Sequence, residues 1–172
     1  VIIATGEIDI AQGPNDLDNA SNGFGALEFD ADLSVLSGGN DVYDVAEIQF
    51  DFTPTQTPVT FEFALASEEY CEFVGSAFND AFGFFISGPG INGPFGGAKN
   101  IALVPNSQTN ITINTINHLT NNLYYTNNIG PGGILCGQIP SFAPSVNEIQ
   151  YDGFTKNLVA VADVIPLSLI HI

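Results

Sequence analysis

The chain has 172 residues, 45% of them hydrophobic, which is enough for one domain that buries roughly 70% of the surface exposed by its unfolded form. Nineteen acids against two lysines and no arginine give a net charge of −17, which excludes nucleic-acid binding by counterion release and docking on an anionic membrane through basic residues. No apolar run approaches the roughly 18 to 20 residues that span a bilayer, so membrane insertion is not expected.

The first motif along the chain is "GEIDIAQ", Gly6 to Gln12. It is similar to the "GEIDIxE" strand of laminarinase-type retaining glycoside hydrolases, which are jelly rolls with two catalytic carboxylates on one strand. Glu7 would be the nucleophile and Asp9 its helper. Gln12 replaces the acid/base glutamate, however, and an amide cannot donate and recover a proton. Tryptophan, the usual sugar-stacking side chain, is absent. We therefore expect no enzymatic activity, and a glycoside hydrolase is the least supported hypothesis.

Residues 11–42 are rich in Gly, Asn and Asp and predict a long, acidic, ordered loop. Loops of this length in compact domains are usually functional. An EF-hand loop beginning at Asp16 does not fit, because Ala20 is at its fifth position, Ser21 replaces the required glycine and Leu27 replaces the bidentate glutamate. A calcium site in this segment would be irregular. Its candidate ligands are Asp16, Asp18, Asp30 and Asp32.

Alternation of apolar and polar residues with a period of two predicts strands along the rest of the chain. It is clearest in "AEIQFDF", residues 46–52, and in "VTFEFAL", residues 59–65. Turn signals such as "TPTQTP" and "SGPGINGPFGG" separate the runs. The remaining predicted strands cover residues 81–87, 100–104, 110–116, 123–125, 148–151, 156–164 and 167–172.

About nine strands and little helix favour an all-β fold, an antiparallel two-sheet β-sandwich of the jelly-roll type. We expect the whole chain, residues 1–172, to form a single domain.

Carboxylates are concentrated beside aromatic residues after the second of these strands. The first 80 residues hold 16 of the 19 acids and neither lysine, so internal salt bridges cannot neutralise this charge. Either the acids face water or they bind a divalent cation, and calcium is the cation that accepts carboxylate, amide and backbone oxygens in an irregular loop. The candidate calcium ligands are Glu68, Glu69, Glu72, Asn79 and Asp80.

The two cysteines, Cys71 and Cys136, match no zinc motif, because a structural zinc site needs about four ligands and only His118 and His171 could join them. In an oxidising compartment they could form a disulfide, which the loop-entropy model values at about 4 kcal/mol for a loop of this length. Two buried free thiols are the alternative, since the spacing permits pairing without requiring it.

Several segments together resemble the choice-of-anchor L domain. The longest is "SEEYCEFVGSAFNDAFGFFISGPG", Ser67 to Gly90, and the others are "IIATGEI", "NIALVP", "INTINH", "YYTNN" and "IQYDGFT". The similarity runs from about Ile3 through Thr155. "ATGEI" then belongs to this family pattern, which weakens the hydrolase hypothesis further.

The resemblance implies a β-sandwich module of secreted bacterial cell-surface proteins, including adhesin-like ones, with adhesion or glycan binding as the expected role. Its partners would be other surface-protein domains, neighbouring chains or surface glycans, which exposed aromatics such as Tyr124 and Tyr125 could contact. Within the family block, Glu68, Glu69 and Asp80 are the expected cation ligands. Cys71 stands where the family commonly has proline, so a bridge to Cys136 would be a feature of this protein and not of the family.

Family members usually have strands before the "IIATGEI" region and continue beyond the final "IHI" into a closing hairpin. We therefore expect the chain to be a fragment of a larger surface protein, with open sheet edges that accept strands from a neighbour. An alternative function follows, that of a structural subunit of a surface filament or layer that assembles through those edges. Because the net charge opposes self-association, such assembly would depend on divalent cations.

Overall fold

The computed structural model describes residues 1–17, 20, 22, 29–129, 136 and 148–172. Within these residues the protein is mostly β, with eleven short strands, one α-helix and two 3-10 helices. The helices are α1 (Ala31–Leu36) and the 3-10 helices Ile8–Ala11 and Asn122–Tyr124. The strands are β1 (Asp51–Phe52), β2 (Val59–Phe63), β3 (Ala66–Ser67), β4 (Ala81–Phe82), β5 (Phe85–Ile86), β6 (Lys99–Asn100), β7 (Ile111–Thr112), β8 (Tyr125–Asn127), β9 (Gly153–Thr155), β10 (Leu158–Ala162) and β11 (Ile170–His171).

The longest ladder joins β2 to β10 in antiparallel register over all five residues of each strand. The sequence alternation accounts for it. In β10, Leu158, Ala160 and Ala162 are buried, whereas Val159 and Val161 are about half exposed. One face of this ladder therefore packs on the core and the other faces water, as is common for antiparallel strands.

A three-stranded sheet in the order β3-β9-β8 positions the candidate site. Ser67, the last residue of β3, lies opposite Gly153, the first residue of β9. On the other side of β9, Gly153 lies opposite Asn127, the last residue of β8. This register brings together the turn that follows β3, the residue that precedes β9 and the end of β8. The remaining pairs, β1-β11, β4-β7 and β5-β6, are also antiparallel.

The prediction of an antiparallel, mostly β protein with little helix is confirmed. The described strands form five small sheets, however, and no clear sandwich is visible among them. Residues 81–87 form two strands with different partners, β4 with β7 and β5 with β6. Between them, the Phe84 backbone N–H donates to the Asn100 side chain over 3.0 Å instead of to a neighbouring strand's backbone. Residues 148–151 form only an isolated bridge, from Ile149 to Gln12.

The predicted strand at residues 123–125 is mostly the 3-10 helix Asn122–Tyr124, and β8 begins only at Tyr125. Two further segments differ from the sequence predictions in local structure. The segment predicted as a loop contains α1, which begins after Asp30 because the Asp30 side chain accepts a hydrogen bond of 2.7 Å from the Leu33 backbone N–H. The other segment, Ile8–Ala11, is a 3-10 helix and not a strand. At six residues, α1 is far shorter than a bilayer is thick, and no other helix of the described chain is long and apolar enough to cross one.

The buried apolar residues form two neighbouring clusters, and Phe63 and Phe84 contact both of them. The first contains Tyr70, Ala102, Val104, Ile111, Ile113, Ile116, Tyr125 and Leu158. The second contains Ile86, Ile101, Ala160, Ala162, Val164 and Ile170. The first cluster supports the candidate site, because Tyr70 lies in the turn after β3 and its ring packs 4.8 Å from that of Tyr125.

We expect the substitution Gly153→Ala to destabilise the protein by about 1 to 3 kcal/mol, the usual effect of overpacking a core. A Cβ at Gly153 would lie 2.8 Å from the Tyr125 ring and 2.9 Å from Tyr70 Cβ, so the tyrosine pair has to move. Urea unfolding measures the effect. Val161→Ala, on the exposed face of β10, is the control and should change stability by less than about 0.5 kcal/mol. Equal stability of Gly153→Ala and the wild type would contradict the packing argument.

Candidate functional site

The acidic turn after β3 is held in place by the buried ring of Tyr70 and the hydroxyl of Ser67. Tyr70 is fully buried, so the carboxylates on either side of it lie at the edge of the core. Ser67 Oγ donates a hydrogen bond of 2.6 Å to Asp80 Oδ2 and accepts one of 2.9 Å from the Glu69 backbone N–H. These contacts bring the turn and the start of β4 together, 13 residues apart in the chain.

Glu68 is the most strongly perturbed carboxyl group of the site. Both of its oxygens are buried, and neither has a hydrogen-bond partner among the described residues. Burial, together with charge repulsion from Asp152, Glu72 and Glu69, raises its pKa from 4.5 to about 8. The backbone of Ala20 acts in the opposite direction without reaching hydrogen-bonding geometry. Without a counterion, Glu68 therefore keeps its proton at neutral pH.

Two further predicted ligands belong to the same charged group. Burial raises the pKa of Glu69, and repulsion from Asp80 and Glu72 adds to the shift. Burial also raises the pKa of Asp80, against the hydrogen bond from Ser67 that lowers it. By solvent accessibility Asp80 is an exposed residue, so the upward direction of its pKa reflects protein atoms close to the carboxylate and not burial of the whole side chain. The structure thus places Glu68, Glu69 and Glu72 within electrostatic reach of one another, and Asp80 within reach of Glu69.

Asp152 is an acidic residue of the site that no sequence motif indicated. It is 1% exposed, and the Asn15 Nδ2 donates a hydrogen bond of 2.7 Å to its Oδ1. Its charge acts on Glu68 because it directly precedes Gly153, which lies opposite Ser67. The only available signal was its position in "IQYDGFT", and nothing in that segment indicated a contact with residues more than 80 positions earlier.

The structure gives Asn79 a different role from the predicted one. Its Nδ2 donates to the Ser37 carbonyl over 2.9 Å, and its Oδ1 accepts from the Asn114 backbone N–H over 3.1 Å. Asn79 therefore links the end of α1 to the segment after β7. In the second predicted ligand pool, Asp30 caps α1 and the side chains of Asp16 and Asp32 are exposed, while Asp18 lies outside the described residues.

Glu7 and Asp9, the two carboxylates of the hydrolase hypothesis, are both exposed. Glu7 directly precedes the 3-10 helix and Asp9 lies within it, so the two do not alternate along a strand. The strand geometry on which that hypothesis rests is not formed by these residues.

The predicted disulfide is present between Cys71 and Cys136, whose Cα atoms are 5.3 Å apart. Two polar groups lie against it. The Tyr125 hydroxyl is 3.8 Å from Cys71 Sγ and 3.4 Å from Cys136 Sγ, and the Asn127 Oδ1 is 3.5 Å from each sulfur. The alternative of two free thiols is therefore wrong for this structure.

His118 lies beside the disulfide. Among the described residues, Cys71, His118 and Cys136 are the only three His, Cys, Asp or Glu side chains whose ligand atoms lie within 4.8 Å of one another. Burial lowers the pKa of His118, and its Nδ1 is buried without a hydrogen-bond partner in the described chain. The carboxylates around Glu68 are more widely spaced, so a cation there would use one or two of them together with backbone oxygens and water. The calcium site stays a prediction.

Comparison with known proteins gives one match. A family model described as the choice-of-anchor L domain matches residues 1–172. No curated protein and no solved structure matches the chain.

Proposed function

Because this chain belongs to the choice-of-anchor L family, which implies a domain of a cell-surface anchored protein, we propose that it is a non-enzymatic extracellular module for adhesion or cell-surface assembly, stabilised by calcium. The disulfide is consistent with an extracellular location, since such bonds persist in oxidising compartments. In the proposed domain, the five small sheets close into one jelly-roll-like β-sandwich.

The observation that carries the calcium proposal is the Glu68 carboxyl group. Both oxygens are buried without a hydrogen bond from the described residues, and three other carboxylates raise its pKa. A buried carboxylate without a partner costs several kcal/mol, so the group must either hold a proton or face a cation. A divalent cation would replace the proton and relieve the repulsion from Asp152, Glu72 and Glu69 at the same time.

The protein itself supplies almost no positive charge to neutralise the carboxylates around Glu68. The sequence contains two lysines, Lys99 and Lys156, and both are exposed. In the described part of the chain, the one close contact between a basic and an acidic side chain joins His171 to Asp51, on β11 and β1, and it is an ion pair only when the histidine is protonated. Calcium can supply the missing positive charge, because it binds carboxylate and carbonyl oxygens in irregular geometry.

A surface for adhesion contacts lies on the same turn. Phe73 and Phe78 are both exposed, and their rings are 5.1 Å apart at a steep angle. Aromatic pairs of this kind contribute contact area in protein and sugar recognition. Of the two tyrosines suggested by the sequence, Tyr125 is 8% exposed and belongs to the core, so it is not a contact residue. Tyr124 is half-buried.

The alternative, a subunit of a surface filament or layer, is favoured by one observation. In the described chain, β2 and β10 each have a single strand partner, and the exposed face of β10 carries Val159 and Val161. Another chain could add a strand at either free edge. Sedimentation distinguishes the two functions, because a filament subunit should form large oligomers of the free chain in calcium, whereas an adhesion module should stay monomeric in solution.

We expect saturating calcium to raise the thermal unfolding midpoint by several degrees relative to excess chelator. A ligand at 100 times its dissociation constant adds about 2.7 kcal/mol to the free energy of unfolding, which corresponds to about 5 to 11 °C in a domain of this size. Glu68→Gln should abolish the shift. Glu7→Gln, which removes an exposed charge outside the turn, should keep it. No shift in the wild type, or an equal shift in Glu68→Gln, would contradict the calcium site.

Adhesion is tested separately with beads that carry the domain. Beads coated with the wild type should cluster in calcium and disperse in chelator, whereas beads coated with Glu68→Gln should stay dispersed. Phe73→Ala combined with Phe78→Ala should reduce clustering while the calcium-dependent shift in unfolding is kept. Beads that remain dispersed in calcium, despite a normal stability shift, would refute adhesion between copies of this chain and leave the calcium site standing.

A further inference from the structure

The side chains around the disulfide form a set that the proposed function does not use. Cys71 comes from the turn after β3, His118 from the segment between β7 and β8, and Cys136 from beyond β8. Their ligand atoms all lie within 4.8 Å of one another. Thiolate sulfur is a soft ligand and imidazole a borderline one, in contrast to the hard oxygen ligands around Glu68, and together they suit cations such as zinc.

The spacing fits a tetrahedral ion once the sulfur–sulfur bond is opened. With zinc–sulfur distances of about 2.3 Å and zinc–nitrogen distances of about 2.0 to 2.1 Å, the ligand atoms of such a site lie roughly 3.5 to 3.8 Å apart. The three ligand atoms lie within 4.8 Å of one another, so a separation of the two sulfurs and a small adjustment of the imidazole would reach this spacing. The fold brings them together from positions 47 and 18 residues apart in sequence.

A second observation points to a ligand independently of this spacing. His118 Nδ1 is buried and has no hydrogen-bond partner in the described chain. Buried polar atoms almost always have a partner, so the unpartnered nitrogen of this imidazole indicates a missing one. The Tyr125 hydroxyl and the Asn127 Oδ1 lie against the same sulfurs. The hydroxyl would donate a hydrogen bond to a thiolate, and the amide oxygen would accept one from a water at the fourth position.

We propose that Cys71, His118 and Cys136 form a redox-gated site that holds one zinc-type thiophilic cation when the disulfide is reduced. An external dithiol supplies two electrons and two protons, which cleave the sulfur–sulfur bond to two thiols while the dithiol becomes its own disulfide. The cation then binds the two sulfurs and the neutral imidazole, and the two thiol protons go to solvent. Water or Asn127 Oδ1 takes the fourth position.

The loop between Cys71 and Cys136 is then closed either by the disulfide or by the metal, and never by both at once. In an oxidising medium the covalent bond joins Cys71 to Cys136, and under reducing conditions the metal joins the same two residues. The turn that holds Glu68 and Tyr70 is thereby tied to the segment beyond β8 in both states. This site is independent of calcium, because its ligands are not the carboxylates.

The test uses the full chain, reduced without oxygen by a phosphine, which takes an oxygen atom from water to become the phosphine oxide and adds no thiol ligand. Calcium is present throughout. Titration with Co²⁺ as a spectroscopic probe should give one ion per chain with thiolate-to-cobalt charge-transfer bands, and Zn²⁺ should displace it. The near-ultraviolet circular dichroism of the reduced, metal-loaded chain should resemble that of the oxidised chain. The oxidised chain should give no such bands.

Two histidine variants separate a built site from binding by an unfolded chain. His118→Ala should weaken zinc binding by at least about tenfold, since even the partners of metal ligands contribute that much. His171→Ala removes the other histidine, which pairs with Asp51 over 2.8 Å, and should leave binding unchanged. Equal effects of the two variants, the same cobalt bands in the oxidised chain, no binding by the reduced chain, or binding accompanied by loss of the native circular dichroism would each overturn the proposal.

Discussion

Replacing both Cys71 and Cys136 by alanine should lower the free energy of unfolding by about 4 kcal/mol. The bond closes a loop of 65 residues, and the cross-link restricts the unfolded chain far more than the folded one. In a domain of this size, the loss corresponds to about 8 to 16 °C in the unfolding midpoint. Urea unfolding without reductant, in excess chelator, measures it without interference from metals.

The wild type treated with reductant in the same chelator is the comparison. It should fall to about the stability of the double variant, whereas the double variant should not respond to reductant at all. A double variant as stable as the oxidised wild type would show that the loop is already restricted in the unfolded chain and that the disulfide is not a main source of stability.

Without calcium, the protein should become less stable as the pH rises from about 5 to 8. The Glu68 pKa is raised from 4.5 to about 8 in the folded protein, so between these values the folded state holds a proton that the unfolded state has released. Stability falls with pH wherever the folded state binds more protons. Below about 4.5 both states are protonated, and above about 8 neither is, so the loss is confined to this window.

Glu69 and Asp80 act in the same direction, because their pKa values are also raised. His118 acts in the opposite direction, since its lowered pKa makes the folded state release a proton first. Urea unfolding of the wild type and Glu68→Gln across the window isolates the Glu68 contribution. The variant should lose less stability between pH 5 and 8 than the wild type does. Calcium should reduce the wild-type slope, because it binds the ionised carboxylates.

Parallel pH profiles for the wild type and Glu68→Gln in chelator would contradict the assignment of this slope to Glu68. Glu7→Gln is again the control for the general effect of removing one negative charge. Its profile should keep the wild-type slope, since Glu7 is exposed and lies far along the chain from the turn.

The β character of the protein was readable from the sequence because a two-residue alternation is a local property. The runs at residues 59–65 and 156–164 contain β2 and β10, the two longest strands. The helix α1 was also encoded locally, by Asp30 before "ADLSVL", but the Gly and Asn content around it concealed that signal. Strand ends were less predictable, because side chains such as Asn100 replace backbone partners in the ladders.

Four properties are readable from the sequence alone: the family resemblance, the exclusion of partners that need positive charge, the acidic turn at Glu68 and the two cysteines that could pair. Which residues meet depends on the folded chain. Asp152 reaches Glu68 because Ser67 lies opposite Gly153, and His118 reaches the disulfide across 47 residues of chain. Such contacts depend on strand register and on packing around Tyr70 and Tyr125, and no local pattern specifies them.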